Sequence, residues 1–122
     1  MSGDVIKLEF PARAEYILAV RLVVSAIAER GGFGIEDIED LKVASAEACI
    51  LLMDASPETL DIRITVSEGI SLELTAKGQR GGAAGEGSEE GLSQYLLEAL
   101  VDNCEIKEED GVVKAVSFTK RP

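Results

Sequence analysis

Histidine is absent from all 122 residues. With it go Ser-His and Cys-His nucleophile pairs, imidazole acid–base work and most zinc sites. Cysteine is scarce: only Cys49 and Cys104 occur, each inside a segment that reads as regular structure and neither within a metal-ligand cluster. Both are expected to be reduced and buried. No apolar run reaches membrane-spanning length, and Met1-Ser2-Gly3-Asp4 lacks the basic-then-apolar order of a signal peptide. The expectation is a cytoplasmic protein without membrane contact. Positive charge is also in short supply: 12 Lys and Arg stand against 23 Asp and Glu, for a net charge of -11. Phosphate binding needs a basic surface, so nucleic acid is excluded as the main ligand. An acidic chain meets a basic protein partner with a gain in on-rate, although acidity also serves plain solubility.

What remains is a chain with 46% hydrophobic residues, which fits one globular domain over residues 1–122. Val5 to Phe10 alternates, with Ile6, Leu8 and Phe10 on one side and Lys7 and Glu9 on the other, as in a half-buried strand. Pro11 closes it. A helix follows from about Arg13 to Arg30, with Ile17, Val20, Val24 and Ile27 at helical spacing, and Gly31-Gly32 stops it. Arg21 interrupts its apolar surroundings and reads most simply as a snorkelling arginine. Glu36, Asp37, Glu39 and Asp40 then crowd the start of the next helix, where carboxylates suit the positive end of the dipole.

That helix, over Leu41 to Ala55, is the organising stretch. Leu41, Ala44, Ala48, Leu51, Leu52 and Ala55 share a face, yet Val43, Ile50 and Met53 occupy the other side. A helix apolar nearly all round must be covered on more than one side. Glu47 stands out within it, as either an edge carboxylate reaching water or a group with chemistry to perform. Ser56-Pro57 ends the helix.

Leu60 to Ser67 and Ile70 to Ala76 alternate cleanly and form a hairpin around Glu68-Gly69, one face dry and one wet. Lys77 to Glu90 is glycine-rich (Gly78, Gly81, Gly82, Gly85, Gly87) and reads as a mobile loop. A third helix is expected from about Leu92 to Asn103, with Leu92, Leu96 and Leu100 on its buried stripe. A last hairpin, Cys104 to Glu108 and Val112 to Thr119, turns at Asp110-Gly111. Strands with one polar face plus three helices imply an α+β fold of two layers, all helices on one side of the sheet.

This order, together with Leu8-Glu9-Phe10, the Arg21 helix, Leu41-Lys42, Ser45 to Cys49, Gly91-Leu92, Tyr95-Leu96 and Leu100-Val101-Asp102, resembles the GHKL (Bergerat) ATPase fold. Within it the chain is most similar to anti-sigma-factor serine kinases of the RsbW and SpoIIAB type. The resemblance implies a two-layer α/β sandwich with a mostly antiparallel mixed sheet and three helices on one face. It also implies an Mg-ATP site built from three motifs. In the family, the central helix carries Glu-x-x-x-Asn-x-x-x-His, where the acidic residue is the base and the asparagine oxygen helps hold Mg²⁺. Here Glu47 matches, but Leu51 and Ala55 stand at the Asn and His positions. Magnesium needs oxygen ligands, which leucine does not offer. The family's Asp-x-Gly, whose carboxylate accepts from the adenine amine, reads Ala76-Lys77-Gly78; an adenine there would leave its donor unpaired at a cost of about 1–3 kcal/mol. The Gly-x-Gly before the last helix reads Gly91-Leu92-Ser93, preceded by Glu86, Glu89 and Glu90 where phosphates would lie. Lys77 and Arg80 offset part of that charge or are ordinary loop cations. The lid is shorter than the family's usual loop.

The implied function is an anti-sigma-factor-like regulator that works by protein–protein binding with no nucleotide cofactor and no metal. Its partner would be a sigma factor or an antagonist protein, with Arg21 at the family's sigma-contact position. A homodimer through the N-terminal strand or first helix is also implied. The alternatives are an active serine kinase, in which Asp54 is the nearest substitute oxygen for Mg²⁺, and a structural subunit paired with an active homologue.

Overall fold

A computed structural model describes residues 3–79 and 91–122. In chain order the elements are β1 (Asp4–Pro11), α1 (Ile17–Arg30), α2 (Ile35–Met53), β2 (Thr59–Val66), β3 (Ile70–Lys77), α3 (Leu92–Leu100), β4 (Asn103–Glu109) and β5 (Val112–Lys120). The five strands form one sheet in the order β1-β2-β3-β5-β4, and every pairing is antiparallel. The fold is the expected α+β two-layer arrangement, except that the sheet is wholly antiparallel where a mixed one was expected, each strand being joined to its neighbour without a parallel crossover.

Register follows from the alternation. Leu8 stands opposite Ile62, Ile62 opposite Leu74, Leu74 opposite Val116, and Val116 opposite Ile106. One inward row thus crosses the whole sheet, and a slip of one residue would turn all of it toward water. Ile62, Ile64, Leu72 and Leu74 are fully buried, and Leu8 and Phe10 pack against the same core. Lys7, Arg63 and Glu73 are exposed on the other face. The β4–β5 turn places both Asp110 (φ 54) and Gly111 (φ 76) in the left-handed region, the backbone that a two-residue hairpin loop requires.

α2 is the hub. It packs against α1 on one flank, α3 on the other, and β3 and β5 beneath, which explains its near-complete apolar surface. Its buried set includes Leu41, Ala44, Ser45, Ala48, Cys49 and Leu52. Small residues at four of these positions, Ala44, Ser45, Ala48 and Cys49, let the neighbouring helix and sheet approach closely. Ser45 stays satisfied by donating to the Leu41 carbonyl at 2.7 Å, the back-bond available to a mid-helix serine.

Several boundaries and one stripe differ from the sequence expectation. A short 3₁₀ turn over Ala14–Tyr16 precedes α1, which begins at Ile17. α2 ends at Met53, and Ser56 takes φ 51 in the turn that follows, so Ala55 lies beyond the helix. α3 ends at Leu100, not Asn103, because Val101 turns extended and the Asp102 amide already donates to Thr119 in the sheet. Its buried positions are Ser93 and Leu97, while Leu92 is 46% exposed. The inward stripe is therefore rotated by one residue from the expected Leu92–Leu96–Leu100 line.

Candidate functional site

The residues singled out by the three motifs lie on elements that adjoin: α2 carries Glu47 and Leu51 and packs against both α3, which opens with Gly91 and Ser93, and β3, which ends beside Ala76 and Gly78. Between β3 and α3, Arg80, the lid glycines Gly81, Gly82, Gly85 and Gly87, and the acidic Glu86, Glu89 and Glu90 lie outside the described residues. Glu47 is half-buried on the flank of α2. Leu51, one turn further on, packs against the hydrophobic core. Its isobutyl group belongs to the wall of the domain and offers no oxygen to a cation. Ala55 is half-buried in the turn after α2, and Asp54 caps the helix as an exposed residue.

On β3, Ala76 stands opposite Leu60 and packs at the core edge. Gly78 has φ +73, and a Cβ there would run into the Glu58 carboxylate. Both facts demand glycine without reference to a ligand. Glu58 is itself fixed at the backbone, its amide donating to the Lys77 carbonyl and its carbonyl accepting from Ala12. It had no pattern in the sequence to mark it.

α3 begins with Gly91 at φ 81 and has no side-chain cap. Ser93, in its first turn, is only 1% exposed, and its hydroxyl is buried without a hydrogen-bond partner among the described residues. Leaving such a group unsatisfied costs about 1–3 kcal/mol. A glycine at this position would leave the backbone open; the serine fills that space with a side chain.

At the positions that the resemblance assigns to Mg-ATP the structure places Leu51 against the core, Ala76 at the core edge and a buried Ser93. Among the described residues no group of three or more Cys, Asp and Glu side chains is placed to hold a metal ion. Nor is there a reactive thiol. Burial pushes the Cys49 thiol up to about 12, and burial, helped by the nearby Glu98 charge, raises that of Cys104. Cys104 is half-buried, where full burial was expected.

Arg21 lies apart from these positions, on α1. It is half-buried, and its Nε is enclosed with no partner among the described residues. Leu18 and Leu22, at neighbouring positions of the same helix, are 62% and 58% exposed.

One charged cluster escaped the sequence reading. Lys120 continues the inward phase of Val116 and Phe118 on β5 and is buried. Its Nζ donates to the Leu100 carbonyl at the end of α3 at 2.8 Å and lies 3.7 Å from Asp37 and 3.6 Å from Asp40 in the first turns of α2. The cation thus serves the negative end of one helix and the acidic start of another.

Residues 10–120 match the family described as histidine kinase-like ATPase domain. The chain is 33% identical to the serine-protein kinase RsbW of Halalkalibacterium halodurans, covering 93% of this chain and 82% of that protein. It is 30% identical to the serine-protein kinase RsbW of Bacillus subtilis over 95% of this chain and 86% of the relative. The crystal structure of the RsbU and RsbW domains of a Mycobacterium tuberculosis protein superposes with a TM-score of 0.72 at 17% identity. That match covers 97% of this chain and 32% of the larger one.

Proposed function

The chain belongs to the histidine kinase-like ATPase family, in its RsbW branch, and on that premise we propose that it is an anti-sigma-factor-type regulator acting by protein–protein binding, without phosphoryl transfer. The observation that carries the reading is Leu51. At the position where the family uses an asparagine oxygen for Mg²⁺, this chain has a leucine packed on its core. Ala76 and the buried Ser93 add to the same reading from two other parts of the site. Glu47 keeps the position of the family's base but lacks the metal and phosphate groups that would give it a reaction.

The partner is a sigma factor or an antagonist of the anti-sigma factor, docked on the outward side of α1 at Leu18, Arg21 and Leu22. The exposure of Leu18 and Leu22 beside Arg21 supports that choice. The chain acts as a homodimer, which doubles the docking surface. With a net charge of -11, association with a basic partner falls as salt rises. Arg21→Glu is expected to weaken capture of the native sigma factor by about tenfold or more; unchanged capture by this variant removes Arg21 from the docking surface.

The test of the whole reading is thermal unfolding with and without Mg-ATP. No rise in melting temperature is expected. Clear Mg-dependent stabilisation by ATP would favour the alternative, an active serine kinase that phosphorylates its antagonist.

A further inference from the structure

The sheet has two edges, and they are finished differently. β4 carries Glu105, Lys107, Glu108 and Glu109 and breaks register between Lys107 and Glu108, a charged and irregular rim that discourages further pairing. β1 pairs with β2 from Asp4 to Pro11 with no shift, and among the described residues no strand lies beyond it. The phase of its hydrogen bonds is set at both ends of β2. The Ala12 amide donates to the Glu58 carbonyl on the β1 side, and the Ser67 amide donates to the Gly69 carbonyl on the β3 side. Bonded pairs alternate along an antiparallel ladder, so the even-numbered residues of β1 bond to β2. Val5, Lys7 and Glu9 therefore turn their amides and carbonyls to the open edge. Pro11 has no amide, and its carbonyl already accepts from the Arg13 amide at 2.8 Å. The core also thins here. Leu60, Ile62 and Ile64 on β2 are 1% exposed or less, while Phe10, Leu8 and Ile6 opposite them are only half-buried. On the other face Val5 is 44% exposed. Lys7 and Glu9 are exposed there too, each with a like charge, Arg63 or Asp61, beside it on β2.

We propose that the free edge of β1 takes up an extended segment of another protein as a further, antiparallel strand of the sheet. Main-chain bonds supply the affinity of such strand addition, and alternate side chains supply its selectivity. Val5, Lys7 and Glu9 offer about six such bonds. The inward positions of the added strand are apolar, since they lie beside Ile6, Leu8 and Phe10 and complete their burial. The outward positions carry a basic residue beside Glu9 and, two residues further on, an acidic residue beside Lys7. A second copy of β1 fits less well. The register that sets Lys7 against Glu9 of the copy puts Val5 against Pro11, which has neither an amide nor a free carbonyl. That ladder closes only at Lys7 and Glu9. The edge uses no residue of α1 and does not depend on the sigma-factor reading.

A labelled peptide, Thr-Val-Arg-Val-Glu-Ile-Thr, titrated against the full chain by fluorescence anisotropy tests the site. Laid antiparallel, its arginine falls beside Glu9 and its glutamate beside Lys7. Saturable binding is expected, weakened about fivefold or more when the arginine and glutamate exchange places. Lys7→Glu/Glu9→Lys, which keeps the net charge, should reverse that preference. N-methylation of the peptide's glutamate removes a bond to the Lys7 carbonyl and should weaken binding about tenfold or more. The same change at its central valine, whose amide points away from β1, should have little effect. Lys7→Pro should abolish binding yet keep the fold, because the lost amide faces the edge and not β2. The peptide variants read the site even if that protein fails to fold. Absence of saturable binding, or indifference to the charge exchange or to the glutamate N-methylation, would overturn the proposal. So would loss of peptide binding in Arg21→Glu, which would move the contact to α1. A wild-type dimer that dissociates in Lys7→Pro would assign the edge to a second copy and overturn it as well.

Discussion

Lys120→Met isolates a tie that holds three elements together. The lysine side chain is 11% exposed, with its stem among core residues and its Nζ donating at 2.8 Å to the last carbonyl of α3. Methionine is close in length and keeps the packing of the stem. What it removes is one hydrogen bond from a charged donor, about 1.5–3 kcal/mol, and it leaves the Leu100 carbonyl short of a partner. The contacts to Asp37 and Asp40, at 3.7 and 3.6 Å, are too long for good hydrogen bonds. Those carboxylates are 34% and 39% exposed, so each pair is discounted to at most about 0.5 kcal/mol. The expected loss is about 2 kcal/mol, or about 6–10 °C in Tm for a domain of this size. Urea unfolding of Lys120→Met beside Asp37→Asn/Asp40→Asn reads the partition directly. The lysine variant should lose about 2 kcal/mol and the double aspartate variant less than about 1 kcal/mol. A larger loss in the aspartate variant than in the lysine variant would refute the assignment of the energy to the helix-end hydrogen bond.

Gly91 sits at φ 81 with nothing within 4 Å of where a Cβ would be, so Gly91→Ala should cost about 1–2 kcal/mol by backbone strain alone, measured by the same unfolding assay. Thiol labelling in the native state should modify Cys104 slowly and Cys49 only after denaturant is added. The Cys49 thiol is held at about 12 against an ordinary 9.0; because the folded state keeps a proton that the unfolded state releases, stability should fall as pH rises through that window. The slope from this one group is about 1.4 kcal/mol per pH unit at most, and it should vanish in Cys49→Ala.

The strands were legible because each buries one face. Leu60, Ile62 and Ile64 against Asp61 and Arg63 admit a single register, and the Asp110-Gly111 turn carries its own backbone signature. The all-round apolar character of α2 announced a helix covered on several sides. The end of α3 was less legible: Val101-Asp102-Asn103 continues a helical pattern locally, and only the ladder to Thr119 pulls it into the sheet. The nine residues of α3 are too few for periodicity to distinguish a Leu92 stripe from one through Ser93 and Leu97. Lys120 was invisible for a physical reason, since a lysine at a strand end reads as solvent-facing until a carbonyl and two carboxylates from distant elements are seen around it. The site positions came from family resemblance at Glu47, Leu51, Ala55, Ala76, Gly78, Gly91 and Ser93. Glu58 beneath Gly78 depends on a neighbour that no local pattern names.

The account turns on whether the Leu51 wall and the buried Ser93 leave a nucleotide site. Calorimetric titration of the unmodified protein with Mg-ATP, paired with thermal unfolding, measures this most directly. A ligand at a hundred times its dissociation constant adds about 2.7 kcal/mol of stability, which a melting curve resolves easily. The account predicts no heat of binding and no shift, and none for Leu51→Asn alone, which adds an amide with no adenine anchor beside it. Leu51→Asn joined with Ala76→Asp and Ser93→Gly should bring back weak Mg-dependent binding. Saturable Mg-dependent binding of ATP to the wild type, with the accompanying rise in Tm, would contradict the central claim.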